Sequence, residues 1–101
     1  MNLERILELF ENLEVFLKKY GDNTILQSYE IVNRAIEVLK STADIKEKEA
    51  YIIRSYKALF QSRGGLAEFY IWDNDFETRK ALNEPFEYIH KELWDILKDD
   101  I

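Results

Sequence analysis

The chain has 101 residues, 47% apolar and 34% charged, with 20 acids against 14 bases, a net charge of −6 and a pI near 4.8. That composition suits one domain with a core of its own and excludes a disordered chain. Cysteine is absent, which excludes disulfides, thiolate nucleophiles, iron–sulfur clusters and cysteine-held zinc.

The first periodic stretch runs through Leu3, Ile6, Phe10, Leu13, Leu17 and Tyr20, widened by Leu7, Leu9 and Phe16. Steps of three and four residues predict an amphipathic helix, capped by Asn2 and stopped at Gly21. Ile25, Tyr29, Val32, Ile36 and Leu39 repeat the pattern, broadened by Leu26, Ala35 and Val38, with Asp22, Asn23 or Thr24 as the cap. After the break at Ser41-Thr42-Ala43, Asp44 and Glu47 form a capping pair for a third helix. Its stripe is Ile45, Ile52, Tyr56, Leu59 and Phe60, helped by Ile53, and Gly64-Gly65 is the predicted stop. A last helix is expected from Asn83 or Glu84, with Pro85 in the first turn and Phe86, Ile89, Leu93, Ile96 and Leu97 as its buried face. Four such stripes joined by short links predict an all-α, antiparallel up-and-down four-helix bundle, residues 1–101 forming a single helical domain.

One segment departs from this rhythm: the long irregular connection between the third and fourth helices, QSRGGLAEFYIWDNDFET at 61–78. Phe69, Tyr70, Ile71 and Trp72 favour an extended backbone, yet a lone strand has no partner here. We expect 66–72 to lie extended, or as one irregular turn, across the bundle. Asp73-Asn74-Asp75 should cap a short helix from Phe76 to Leu82. Leu66, Phe69, Ile71 and Phe76 would plug the bundle end. Alternation along the backbone would leave Tyr70 and Trp72 outside, ringed by Glu68, Asp73, Asp75 and Glu77, the make-up of a protein-binding hot spot.

Chemistry finds less support. DNDFETRKALNE (73–84) places Asp73, Asp75, Glu77 and Glu84 at calcium-loop spacings, but Thr78 stands where the turn needs Gly and Lys80 where an apolar residue packs. Glu87 and His90 have di-iron spacing, but a second such pair needs a second histidine and the chain has one. No serine sits in a nucleophile elbow, no acid pair stands out, and Gly64-Gly65 lacks the phosphate-loop pattern. No catalytic residue, metal or cofactor is therefore assigned, and the balance leans against an enzyme.

Charge points elsewhere. The acidic field repels a phosphate backbone, and bases occur only in short runs beside acids (Lys18-Lys19, Lys46/Lys48, Arg79-Lys80), so nucleic acid is not an expected partner. No stretch approaches the ~18 consecutive apolar residues of a membrane span. The opening MNLERILELFENLEVF carries acids where a signal peptide carries bases, so a cytoplasmic location is expected. Glu4, Glu8, Glu11 and Glu14 line one side of the first helix, at a cost of a few tenths of a kcal/mol per pair, roughly. Such a stripe suits a basic partner.

GGLAEFYIW at 64–72 followed by NEPFEYIHKELW at 83–94 resembles a group of small uncharacterised bacterial helical domains with a Gly-Gly-Leu, acid, aromatic segment, then Asn-Glu and a terminal Leu-Trp helix. The resemblance covers about a third of the chain and brings no activity with it. It implies that Gly64, Gly65, Asn83 and Trp94 define the fold, and that the source is bacterial. In size and charge, though through no motif, the chain is also similar to toxin immunity proteins.

The leading expectation is an immunity- or antitoxin-like module that binds a basic protein through Glu68, Tyr70, Trp72, Asp73 and Asp75, together with Glu4, Glu8 and Glu11. A second is a small-molecule-binding or hydrolytic domain with a pocket near Trp72 and His90. A third is self-association through Leu9, Ile31 and Ile53, which lie off the main stripes.

Overall fold

Each helix begins where a side chain supplies hydrogen bonds that helical geometry leaves open. In the computed structural model, which describes residues 1–62 and 65–101, α1 (Leu3–Tyr20) is capped by Asn2, whose Oδ1 accepts from the Arg5 amide at 3.1 Å. It closes where the Gly21 amide donates to the Leu17 carbonyl at 2.8 Å. The Asp22 carboxylate then accepts from both the amide and the hydroxyl of Thr24, setting a 3-10 turn (Asn23–Ile25) that feeds α2 (Leu26–Lys40). Asp44 caps α3 (Ile45–Phe60) by accepting from the Glu47 amide at 2.8 Å. Asp75 does the same for α4 (Phe76–Leu97) through the Thr78 amide at 2.9 Å.

The helices are antiparallel neighbours, as short links require. Arg5 of α1 reaches Tyr88 and Glu92 of α4, while Phe16 stacks on Phe86 at 5.8 Å, so one number rises as the other falls. Tyr56 and Phe60 of α3 meet His90 and Phe86 of α4 in the same sense. The amino terminus lies 3.9 Å from Glu49, which sets the start of α1 beside the start of α3. The shared interior holds Ile6, Phe10, Leu13, Val32, Ile52, Leu59 and Leu93, all at 0% exposure. This is the expected four-helix bundle, and no strand occurs among the described residues.

Several details differ from the sequence reading. Leu9 is fully buried and so not free to pair two copies of the chain, while Ile31 and Ile53 are partly exposed, Ile31 packing against the core. Ile45 and Leu26 stay exposed at 66% and 61%, because each is the first residue of its helix and faces outward there. α3 ends at Phe60, where the Gln61 amide bonds the Lys57 carbonyl at 2.9 Å, before the glycines are reached. Gly64 lies outside the described residues. Gly65 instead permits close approach: a Cβ there would stand 2.5 Å from the Leu59 carbonyl oxygen and 2.8 Å from that of Ala58.

The largest difference is α4. It is one continuous helix of 22 residues, not a short helix followed by a second one starting at Asn83. Pro85 sits inside it, where it offers no amide to the Ala81 carbonyl. Both residues are exposed, and the helix runs on through the proline without a break. Because Phe86 faces Phe16, and α1 runs only to Tyr20, the first turns of α4 project about 10 Å past the end of α1 at 1.5 Å per residue. The molecule measures 46 Å along its long axis, against 26 and 23 Å across. The connection from α3 returns beside it.

Gly65→Ala is expected to cost about 1–3 kcal/mol, since the new methyl meets main-chain oxygens that cannot rotate away. A lowered urea midpoint with an unchanged slope checks it; an unchanged midpoint would show that the α3 terminus shifts without cost.

Candidate functional site

The connection re-enters the bundle at Leu66, which opens a 3-10 turn (Leu66–Glu68) and is fully buried. The Phe69 amide donates to the Leu66 carbonyl at 3.0 Å, and from there the chain is extended. Phe69 lies edge-on to Phe16 at 6.0 Å and Phe86 at 5.4 Å. Ile71 packs half-buried against the core, while Tyr70 and Trp72 are 55% and 69% exposed. Burial thus alternates residue by residue, the signature of a pleated backbone with one face inward.

One side chain holds that backbone in place. Asn83, on the second turn of α4 and only 3% exposed, accepts from the Ile71 amide at 2.9 Å and donates to the Ile71 carbonyl at 2.9 Å. Its amide nitrogen also donates to the Arg79 carbonyl at 2.8 Å. Asn83 therefore does not cap a helix. It replaces the missing partner of a lone strand.

Trp72 is held as well. The Arg79 guanidinium lies 4.5 Å from the Trp72 ring centre and 5.4 Å from that of Phe76, and it donates to the Asp73 carbonyl at 3.3 Å. Cation–π contacts of this kind contribute about 0.5–1 kcal/mol at exposed sites. Phe76, expected in the plug, is 61% exposed because the overhanging turn carries it clear of the bundle end.

The acids divide into two kinds. Asp75 and Asp73 have structural work: Asp75 takes the Thr78 amide and hydroxyl, and Asp73 Oδ1 accepts from the Asp75 amide at 2.9 Å. The Thr78 donors hold the Asp75 carboxyl below the usual carboxylate range. Glu68 and Glu77 are simply exposed. Glu68, Tyr70, Trp72, Asp73 and Asp75 follow one another along this segment, and the Arg79 side chain meets it at Trp72 and at the Asp73 carbonyl.

Glu4, Glu8 and Glu11 lie elsewhere. Phe69 meets α1 at Phe16, and Glu4 is twelve residues earlier, about 18 Å along the axis. Glu8 pairs with Arg5 at 2.8 Å and Glu11 with Lys40 at 3.4 Å, so two of these acids are already partnered within the chain.

His90 belongs to a different place again. Its ring stacks on Phe60 at 4.2 Å and 8°, and its Nε2 shares a hydrogen bond of 3.2 Å with the Tyr56 hydroxyl. Tyr56, Glu87, His90, Lys91 and Trp94 line an open hollow of about 340 Å³. Trp72 takes no part in it, because Arg79, under Trp72, precedes His90 by eleven residues, about 16 Å along α4. The expected pocket joining Trp72 to His90 is therefore not formed. The calcium-like window is not a loop either, since residues from Phe76 onward are helical. Among the described residues no three His, Asp or Glu side chains gather closely enough to hold a metal ion. No helix among them is long and apolar enough to cross a membrane.

The chain matches no family model, no curated protein and no solved structure. Its site is accordingly described from its own residues. The sequence reading found the exposed aromatics but missed Asn83 as a clasp, Arg79 as a support for Trp72 and Tyr56 as the partner of His90. The one available signal was a lone β-prone run that needed a polar partner from another element.

Replacing Asn83 with Ala should cost about 2–3 kcal/mol, because it strands the amide and carbonyl of Ile71 in a half-buried place. Asn83→Asp should cost a similar amount, since one carboxylate oxygen must face carbonyls; urea unfolding of both variants checks this. Burial holds the His90 imidazole below its ordinary 6.5. Below that pH the unfolded chain binds a proton that the folded chain refuses, so stability present above about pH 6.5 falls as pH drops toward the folded value. Unfolding between about pH 7.5 and 5.5 should show this slope in the native protein and lose most of it in His90→Gln; equal slopes would assign it to other groups.

Proposed function

We propose that the chain is a small acidic interaction module that holds a basic protein partner against Tyr70 and Trp72. The observation that carries this is the clasp: Asn83 fixes the main chain between two exposed aromatic residues, and Arg79 supports the Trp72 ring, before any partner arrives. Aromatic anchors of this kind dominate binding energies, and holding them ready lowers the ordering cost of association. The net charge of −6, with Glu68, Asp73, Asp75 and Glu77 nearby outnumbering Arg79 and Lys80, favours a basic surface and speeds its approach. The reading extends to an immunity- or antitoxin-like role in a bacterial cytoplasm, for which size and acidity are the support. Glu4, Glu8 and Glu11 would act only as a distant contribution to the field.

The test is affinity capture from the native host at low and at high salt, with the native chain and with Trp72→Ala. A basic partner should be retained at low salt and released at high salt. Trp72→Ala should weaken it by about 2 kcal/mol, roughly thirtyfold. A partner held equally by both chains, or equally at both salts, would remove the surface or the charge from the account.

A further inference from the structure

The clasp has two sides. In an extended backbone the amide and carbonyl of one residue point to the same edge, and those of the next residue to the opposite edge. Both main-chain groups of Ile71 are taken by Asn83 on the α4 side. Those of Tyr70 and Trp72 therefore face the other edge. No described residue donates to or accepts from them, and both residues are exposed. No proline or inward-facing charge blunts this edge, the usual protection of an open strand.

We infer that the outer edge of Phe69–Asp73 receives an extended basic segment of the protein partner by strand addition. This rests on the docking reading at Tyr70 and Trp72 and names its form. The amides and carbonyls of Tyr70 and Trp72 supply the main-chain hydrogen bonds, the mode by which sheet edges capture peptides. Side chains of the added strand that fall on the outward face lie beside Tyr70 and Trp72, where β-branched residues pack well. Its ends run toward exposed Glu68 on one side and exposed Asp75 on the other, which favours basic residues there. Asn83 is in this sense the first neighbour of a strand whose second neighbour comes from outside.

The probe is the peptide Lys-Lys-Val-Thr-Val-Thr-Lys-Lys, compared with the same peptide N-methylated at its four central amides. The two share charge and side chains, and differ in their capacity to pair backbones. The unmethylated peptide should bind at least about tenfold tighter. Its binding should shift the Tyr70 and Trp72 amides in nitrogen–proton spectra and protect them from exchange, with little change at the Ile71 amide, which is already bonded. Equal affinities, binding that moves only the Trp72 indole, or no binding by either peptide would overturn strand addition and leave the docking surface standing. A natural partner indifferent to Trp72→Ala would sink the docking surface itself, whatever the peptides do.

Discussion

A buried asparagine that satisfies another residue's main chain is the constraint on which the distinctive half of this molecule depends. Extended backbone at the end of a helical bundle has no ladder to join, and an unpaired, half-buried amide and carbonyl cost about 1–3 kcal/mol each. Asn83 removes that cost for Ile71 with one side chain. With the main chain satisfied, Phe69 and Ile71 can turn their side chains toward Phe16 and Phe86 and seal the core. The alternation of the backbone then forces Tyr70 and Trp72 outward. Exposure of two large aromatics is thus the geometric counterpart of closing the bundle.

The same residue accounts for the length of α4. Its first turns extend beyond the bundle and bury little of their own surface; Phe76, Glu77, Thr78, Lys80 and Ala81 are all exposed. Short isolated helical turns are marginal in water. These are held by the Asp75 cap at one end, by Asn83 against the returning segment, and by Arg79 between Trp72 and Phe76. Connection and overhang support each other, while Leu66 and Phe69 also tie the connection to the bundle proper.

Much of the bundle was legible because three- and four-residue spacing and capping chemistry are local. Asn2, Asp44 and Asp75 cap the helices whose starts they mark, and Gly21 closes α1 as its position requires. The connection was legible in part: alternation along 69–72 follows from its β-prone run. Two things were not. Pro85 is read locally as a helix start, and its place on an exposed face inside α4 is a tertiary property. Asn83 next to Pro85 looks like a cap for the same reason, whereas its true partner lies twelve residues back on another element. The acids misled in a different way. Their types and spacing are visible in sequence, but not that Glu8 and Glu11 lie beside Arg5 and Lys40, at a distance from the aromatic pair.

The two hydrogen bonds that cross from Asn83 to Ile71 belong to a single rotatable side chain, so they break together, while its third, to the Arg79 carbonyl, stays within α4. Breaking them frees Ile71 from α4 without parting the core helices, leaving the contacts of Phe69 with Phe16 and Phe86 to hold the segment. Detachment of this handle is a separate, cheaper event than unfolding of the bundle. A binding partner seated there would set the lifetime of the closed form, and the fraction of time the handle spends loose would in turn limit how long the partner stays.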